Sequence, residues 1–353
     1  MAAAAHSFPR PRIRADVHKT NERLLEGGAA IIEGDSELVL RALPEDLCQC
    51  VVTSPPYWFV RDYGIGGQIG LERSLDDYIS ALVDVFRLVR RVLRTDGVLW
   101  LNIGDGYTSG GRASRAPDRK NAHRAMGDRP PTPADLKPKD LIGVPWRLAF
   151  ALQQPWLHCR TCKETNHASL WGRMPGGGNL ICPACCRTGN QEVAEPGWYL
   201  RSEIIWERPN CQPESVRDRV TRAHEHLFML TKSERYNYDN HGLRGPNGRN
   251  LRTVWRINTE PGEHGHVAIF PQALAAPCLA LTTKPGDLVL DPFLGSGTTA
   301  VVAKRMGRRY LGIELDPEAI AAAQVRLADV GDDLDHAAQL GELVARTGLV
   351  RLP

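Results

Sequence analysis

Two short stretches of the sequence carry side chains that could do chemistry, and the first is Ser54-Pro55-Pro56-Tyr57. The Ser54 hydroxyl and the Pro55 carbonyl can each accept a hydrogen bond, and consecutive prolines restrict the direction of that carbonyl. The Tyr57 ring offers a face on which a planar group can stack and near which positive charge is favoured. Such a set could hold an amine on an aromatic ring and stabilise the charge that develops when it attacks an electrophile. A rigid turn without chemistry is the alternative interpretation.

The second stretch, residues 291–299, is a glycine-containing turn between a predicted strand and a predicted helix. Glycines there let the backbone bend sharply and let a ligand approach it closely. An acid, Glu314, ends the next predicted strand, where an acid hydrogen-bonds ribose hydroxyls in dinucleotide folds. The pattern indicates an adenosine-containing cofactor, and a nicotinamide enzyme stays open, although Ala300 replaces the third glycine of that fingerprint. The candidate residues of the turn are Asp291, Pro292, Phe293, Gly295, Ser296, Gly297, Thr298 and Thr299.

Four of the nine cysteines have the spacing of metal ligands. They form two Cys-x-x-Cys pairs, Cys159 with Cys162 and Cys182 with Cys185, and 19 residues separate the pairs. Four thiolates close a tetrahedral site, so the spacing predicts a structural Zn²⁺ ion in a zinc ribbon. A redox-active thiol pair or a degenerate ribbon is the alternative, and Cys186, His158 and His167 are alternative ligands nearby.

Strand and helix patterns alternate through most of the chain, which predicts an α/β protein with a parallel, doubly wound sheet. Predicted strands cover residues 29–35, 50–53, 98–103, 198–206, 226–231, 288–290 and 310–313, and predicted helices cover 36–43, 75–93, 140–154, 267–281, 298–305, 317–330 and 334–345. In this order the strand that carries Ser54 comes early, and the strand that precedes the glycine turn comes late.

Composition sets limits on the class of protein. The net charge of +3 is too small to indicate a nucleic-acid partner by itself. Basic residues nevertheless outnumber acidic ones in 112–140 and 208–256, where phosphate contacts and ordinary solvated loops are both open. No apolar run reaches the roughly 18 residues that span a bilayer, and the amino-terminal residues lack a signal pattern, so we expect no membrane partner and a cytoplasmic location.

The motifs together resemble those of the β-class amino-methyltransferases of DNA, over roughly residues 28–328. Residues 53–58 resemble motif IV of this family, 34–36 resemble motif III, 291–299 resemble motif I and 266–271 resemble motif X. Residues 102–105, 205–210 and 224–232 also resemble strands of the family. The resemblance implies a Rossmann-like, S-adenosylmethionine-dependent fold with a mostly parallel, seven-stranded sheet and a circularly permuted motif order. The inserted zinc ribbon is a departure from many relatives.

The resemblance also implies a function. Ser54, Pro55, Pro56 and Tyr57 would be catalytic, and S-adenosylmethionine would be bound by the glycine turn and by Asp35, Thr53, His266, Phe270, Pro271 and Glu314. Because the exocyclic amine of a base is inaccessible in a duplex, the target base of double-stranded DNA must be flipped out. Serine at the first position of motif IV favours cytosine N4 over adenine N6, which remains the alternative.

The resemblance predicts a bacterial or phage-encoded enzyme, with a cognate restriction endonuclease as partner if it belongs to a restriction-modification system. A catalytically inactive DNA-binding protein is the alternative of another class, and the oligomeric state is left open. The expected organisation is a flexible tail (1–22), a target-side half (23–154) with a long basic loop (106–139), the zinc ribbon (155–196), further target-side strands (197–231), a recognition region (232–262), a cofactor half (263–330) and a terminal helix and tail (331–353). Candidate target-reading segments are 106–139, 155–196 and 232–262.

Overall fold

The computed structural model describes residues 17–108, 130–173, 179–240, 243–245, 248–260, 270–331, 335–345 and 347. An eight-stranded sheet forms its centre. The strands are β1 (Ala30–Glu33), β2 (Cys48–Thr53), β3 (Leu93–Ile103), β9 (Tyr199–Glu207), β10 (His224–Thr231), β11 (Val254–Arg256), β12 (Leu288–Asp291) and β13 (Arg309–Glu314). They lie in the order β1-β13-β12-β2-β3-β10-β9-β11. The first five in this order pair in parallel, β10 is antiparallel to both neighbours, and β11 is parallel to β9.

Helices cover both faces of the sheet, which explains why β2 and β12 are buried along their whole length. The helices are α1 (Val17–Leu25), α2 (Ser36–Ala42), α3 (Leu75–Val92), α4 (Val144–Gln153), α5 (Gln272–Thr282), α6 (Thr298–Arg305), α7 (Pro317–Ala328) and α8 (His336–Ala345). Alternate residues of β2 enter different cores: Val51 joins the core that includes α2 and α3, and Val52 joins the core that includes α5 and α6. The predicted α/β class and doubly covered sheet are confirmed.

The structure differs from the sequence-based expectations in the number of strands and at several element boundaries, among them the start of β3 at Leu93 rather than at residue 98. The sheet has eight strands rather than seven, because the short edge strand β11 forms within the segment expected to be irregular. Helix α1 begins at Val17, inside the predicted tail 1–22. Helix α4 begins at Val144 rather than near residue 140, because Gly143 has a left-handed φ of 77° and Pro145 favours the first helical turn.

The insertion forms small sheets of its own. Strands β4 (Trp156–Cys159), β5 (Thr165–His167) and β8 (Gln191–Glu195) form one sheet, and β6 (Gly172–Arg173) pairs with β7 (Leu180–Ile181). Arg87 of α3 lies over the Trp156 ring at 4.1 Å and forms an ion pair with Glu195. The insertion therefore packs against α3 instead of projecting as a separate body.

The direction of each strand determines at which of the two edges of the sheet the connecting segments lie. Since β9 and β3 both pair antiparallel with β10, β9 runs in the direction of β3. We call the edge at which β1, β2, β3, β9, β12 and β13 end the carboxyl edge. The insertion leads into the start of β9 and thus lies toward the opposite edge, whereas the β9–β10 loop (208–223) lies at the carboxyl edge. None of the described helices is both long and apolar enough to cross a membrane.

Candidate active site

Asp291, the last residue of β12, connects the two chemical motifs. The Thr53 hydroxyl at the end of β2 donates to Asp291 Oδ1 at 2.7 Å, and the Phe293 N–H donates to the same oxygen at 3.1 Å. Asp291 is only 2% exposed, and its burial raises the pKa of the carboxyl to about 6. Asp291 Oδ2 has no hydrogen-bond partner among the described residues. The carboxyl therefore keeps one acceptor available at the point where the two motifs meet.

The glycine turn follows Asp291 directly and opens α6. Gly295 and Gly297 have φ values of 51° and 84°, in the left-handed region that favours glycine. A Cβ atom at Gly295 would meet nothing within 4 Å, whereas a Cβ atom at Gly297 would lie 2.8 Å from that of Ala323. Thus Gly295 leaves space for a ligand at the backbone, and Gly297 permits close packing of the turn on α7.

The remaining polar residues of the turn are anchored in the protein. The Thr299 hydroxyl donates to the Val52 carbonyl at 3.0 Å, which ties α6 to β2. Arg326 Nη1 donates to Ser296 Oγ at 3.1 Å and to Thr298 Oγ1 at 3.2 Å. The ring of Phe293 packs edge-on against Phe86 at 6.4 Å between centroids. These contacts hold the shape of the turn.

Glu314 ends β13 beside the turn. Its Oε2 accepts the Gly295 N–H at 2.7 Å, and its Oε1 accepts the N–H groups of Leu315 and Asp316 at 2.7 and 2.9 Å. Burial raises the pKa of Glu314 despite these donors. A carboxylate has about four acceptor positions, so three backbone donors leave capacity for a ligand hydroxyl.

The end of β1 adjoins the same turn, and Asp35 caps α2 there by accepting the Leu38 N–H at 3.0 Å. Burial raises the pKa of Asp35. The Ser36 hydroxyl donates to the Pro292 carbonyl at 2.5 Å, which joins α2 to the glycine turn. Of the motif X residues, the half-buried Phe270 and the buried Pro271 lie at the start of α5, and His266 lies outside the described residues.

A second polar cluster forms around Tyr57. The Tyr57 hydroxyl donates to Glu225 Oε2 at 2.6 Å, and Ser54 Oγ lies 3.3 Å from the Tyr57 hydroxyl. Asn102 Nδ2 donates to the Tyr57 hydroxyl and to Glu225 Oε2, both at 3.0 Å. Arg208 Nη1 donates to Glu225 Oε1 at 2.7 Å. We call these five side chains the Tyr57 network.

The local backbone holds the Tyr57 ring in place. A Cβ atom at Gly104 would lie 2.6 Å from Tyr57 Cε2, so only glycine leaves room for the ring there. The Tyr78 hydroxyl donates to the Pro56 carbonyl at 2.8 Å, and Pro55 is buried. Burial, reinforced by the neighbouring Glu225 carboxylate, raises the pKa of Tyr57 well above its usual value. The Tyr57 hydroxyl therefore stays protonated and acts as a donor.

The structure brings both predicted motifs to one place. β2 and β12 pair directly, so Ser54 follows a residue, Thr53, that is bonded to Asp291. The sequence identifies residues 102, 208 and 225 only as parts of strands or their ends, and it predicts no role for their side chains. Their meeting depends on the antiparallel insertion of β10 between β3 and β9, which no local sequence signal reports.

The four cysteines of the insertion converge as their spacing predicted. Their Sγ atoms all lie within 4.8 Å of one another, and the Cys159–Cys185 and Cys162–Cys182 pairs are separated by 3.8 and 3.7 Å. Four sulfurs at about 2.3 Å from a tetrahedral Zn²⁺ ion are about 3.8 Å apart, so the arrangement fits that ion. Cys186 is exposed and outside the cluster, and His158 and His167 hydrogen-bond to Thr165 and Ser169.

The β9–β10 loop is attached to neighbouring segments of the carboxyl edge. The Arg219 guanidinium lies 3.7 Å from the centre of the Tyr107 ring, and Lys139 pairs with Asp218 at 2.7 Å. Arg217 and Val220 of the loop are exposed. Arg219 also forms an ion pair with Glu214 at 2.5 Å. The loop, whose first residue Arg208 belongs to the Tyr57 network, is thus joined to the segments around Tyr107 and Lys139.

Comparisons with known proteins agree with this geometry. The chain is 50% identical over 311 residues to the Type II methyltransferase M.Cfr9I of Citrobacter freundii, covering 87% of this chain and 90% of that protein. It is 48% identical over 321 residues to the Type II methyltransferase M.SmaI of Serratia marcescens, covering 88% and 96%. The solved structure of PvuII DNA methyltransferase (cytosine-N4-specific) shares its fold, with a TM-score of 0.58, 18% identity and coverage of 91% and 92%. The family described as DNA methylase matches residues 48–325, so the chain belongs to that family, as a β-class amino-methyltransferase of DNA.

Proposed function

We propose that this DNA methyltransferase transfers a methyl group from S-adenosylmethionine to the exocyclic N4 of a flipped-out cytosine in double-stranded DNA. The observation that carries the proposal is the direct connection of Thr53 and Asp291, which joins the residue before Ser54 to the residue that precedes the glycine turn. An amine acceptor and a cofactor-binding turn then border one space at the carboxyl edge. The amine nitrogen attacks the methyl carbon of the sulfonium, the methyl–sulfur bond breaks with its electron pair going to sulfur, S-adenosylhomocysteine leaves as a neutral thioether, and the methylated nitrogen releases one proton to solvent. Because the sulfonium is already activated, positioning accounts for much of the catalysis.

The cofactor half has the groups that S-adenosylmethionine requires. Gly295 leaves open space at the backbone, Glu314 retains acceptor capacity for ribose hydroxyls, and Asp291 has an unpartnered buried oxygen. Asp35 at the end of β1 is assigned to the adenine side, and Phe270 and Pro271 to the methionine side with His266. The glycine turn residues 291–299 and Thr53 complete the proposed site.

The target half acts on the nitrogen that receives the methyl group. The lone pair of an exocyclic amine is conjugated into the ring, and hydrogen bonds accepted from its two hydrogens favour a more nucleophilic, pyramidal nitrogen. Ser54 Oγ and the Pro55 carbonyl are the proposed acceptors, held by Pro56. The Tyr57 ring provides the stacking surface and stabilises the developing positive charge.

The identity of the first residue of motif IV favours cytosine. Serine at that position is more usual in cytosine-N4 enzymes, whereas Asp or Asn is more usual in adenine-N6 enzymes. The PvuII enzyme, which shares the fold, is named as cytosine-N4-specific, but the assignment of cytosine to this chain depends on Ser54. Adenine N6 remains the alternative that product analysis tests.

The DNA surface is assigned to segments at the carboxyl edge. These are the described parts of 104–143 and the β9–β10 loop, which carries Arg217 and Arg219. The loop was not among the candidate target-reading segments, but it lies in the basic stretch 208–256 for which phosphate contacts were considered. The insertion with the four cysteines lies toward the opposite edge and packs on α3 through Arg87, so we assign its Zn²⁺ ion a bracing role. A cognate restriction endonuclease is proposed because relatives are Type II methyltransferases.

Transfer of labelled methyl groups from S-adenosylmethionine to mixed-sequence DNA tests the proposal. Ser54→Ala removes the acceptor and is expected to abolish transfer, while cofactor binding measured by calorimetry stays within about twofold of wild type. Ser80→Ala, in α3 and outside the Tyr57 network, is the matched control and should transfer normally. Full activity of Ser54→Ala would refute the assigned role, and wild-type DNA binding without transfer would favour the inactive DNA-binding alternative.

A further inference from the structure

Glu225, the second residue of β10, is a buried carboxylate at the centre of the Tyr57 network. It is 8% exposed, and both of its oxygens have protein partners. Oε1 accepts from Arg208 at 2.7 Å, and Oε2 accepts from the Tyr57 hydroxyl at 2.6 Å and from Asn102 at 3.0 Å. A buried carboxylate with such complete partners has a defined orientation.

The direction of the hydrogen bonds follows from what each group can donate. An ionised carboxylate only accepts, so the Tyr57 hydrogen is committed to Glu225. The Tyr57 oxygen can then accept from the Ser54 hydroxyl, which lies 3.3 Å away. Ser54 thus points its own hydrogen toward Tyr57. Asn102 Nδ2 lies 3.4 Å from Ser54 Oγ and takes at most one of its two lone pairs, so the other is left for an incoming amine hydrogen. Hydrogen bonds are therefore donated in one direction along the network, from the amine to Ser54, from Ser54 to Tyr57 and from Tyr57 to Glu225.

Arg208 keeps this direction stable. Burying a carboxylate without a partner of opposite charge is costly, and such a group would be expected to rearrange its hydrogen bonds. The Arg208 guanidinium, with its side chain 18% exposed, offsets the carboxylate charge at 2.7 Å.

We propose that Glu225, with its partner Arg208, is a positioning residue for methyl transfer that keeps the Ser54 hydroxyl as an acceptor for the target amine. The inference rests on the proposed function, because it concerns the same amine. The inference adds a residue that lies outside the sequence motifs to those needed for methyl transfer. That residue is a carboxylate on a strand about 170 residues further along the chain than Tyr57. Glu225 acts on Ser54 chiefly through Tyr57, because the other connection, through Asn102, reaches Ser54 Oγ only at 3.4 Å.

A double-mutant cycle between Glu225→Gln and Tyr57→Phe tests the coupling. Glu225→Gln keeps the side-chain shape but adds a donor, and Tyr57→Phe removes the hydroxyl through which Glu225 acts. Glu225→Gln alone should lower kcat by about 10- to 100-fold, as expected for a misplaced catalytic group. In the Tyr57→Phe background the same change should cost less than about threefold, because the connection is already broken. KM for DNA and the Kd for S-adenosylmethionine should stay within about twofold in every variant.

Glu203→Gln is the matched control, because Glu203 pairs with His226 on the same sheet and lies outside the Tyr57 network. It should leave kcat unchanged. An equal loss of kcat from Glu225→Gln in both backgrounds, or no loss, would overturn the inference. If Glu225→Gln does not fold, Arg208→Met/Glu225→Gln removes both charges, and normal kcat in that folded variant would likewise overturn it. Failure of the wild type to methylate an exocyclic amine would instead refute the proposed function.

Discussion

Asp291→Asn is expected to make the protein more stable and its cofactor binding weaker. Burial raises the pKa of Asp291 to about 6 from an ordinary value of 3.8, so the ionised carboxylate costs about 3 kcal/mol of folding free energy at pH 7.5. Asparagine keeps an oxygen for Thr53 and the Phe293 N–H but turns an amide toward the position of the unpartnered Oδ2, at a cost of about 1 kcal/mol. The net gain is about 2 kcal/mol.

The gain in folding stability from Asp291→Asn should depend on pH in a defined direction. Between pH 3.8 and about 6 the folded protein binds more protons at Asp291 than the unfolded chain does, so wild-type stability falls as pH rises through that range. The difference in unfolding free energy between Asp291→Asn and wild type is therefore largest above pH 7. At pH 5 the contribution of Asp291 ionisation to that difference falls to about half of its value at pH 7.5. In thermal melts, about 2 kcal/mol corresponds to a Tm increase of roughly 3 °C at pH 7.5 for a chain of 353 residues.

Melts of the cofactor-free protein from pH 5 to 8, with calorimetric titration of S-adenosylmethionine, measure both effects. Asp329→Asn, which changes an exposed carboxyl at the end of α7, is the control and should not alter Tm. A lower Tm for Asp291→Asn than for wild type at pH 7.5, or a difference that does not narrow toward pH 5, would refute the reasoning. Unchanged cofactor affinity would remove Asp291 from the cofactor site.

Three further predictions concern the metal, the glycine turn and the DNA surface. Chelation of Zn²⁺, or Cys162→Ser, should unfold the insertion and release metal detectable by a colorimetric chelator; an insertion that stays folded without metal would contradict the zinc assignment. Gly297→Ala should destabilise the protein by more than Gly286→Ala. Both glycines have φ near 85°, but only the Cβ atom added at position 297 would contact Ala323. Equal Tm values for the two variants would contradict that packing. Arg217→Ala should weaken DNA binding for all sequences and lower the salt dependence by about one phosphate contact, and unchanged binding would exclude the β9–β10 loop from the DNA surface.

Local signals were sufficient to predict the cofactor half of the site. Helix α6 starts at Thr298 and ends at Arg305 as predicted, because the glycine turn and the apolar run before it define both boundaries. The cysteine spacing likewise predicted the cluster in the insertion, since metal ligands in a ribbon are close in sequence. These features depend on neighbours along the chain.

Features that depend on distant pairings were not predictable. Glu225 reaches Tyr57 only because β10 runs antiparallel between β3 and β9, and a single sequence contains no record of that order. The same applies to β11, whose three residues have too few apolar positions for a period to be recognised. The position of the insertion toward the edge opposite the site follows from the direction of β9, which the structure establishes and the spacing of cysteines does not.

The identity of the methylated nucleoside tests the central claim most directly. DNA incubated with the purified protein and isotopically labelled S-adenosylmethionine is digested to nucleosides and analysed by mass spectrometry against synthetic standards, with Ser54→Ala as the blank. We expect labelled N4-methyldeoxycytidine with the wild-type protein and none with Ser54→Ala. Labelled N6-methyldeoxyadenosine or 5-methyldeoxycytidine as the product would contradict the assignment.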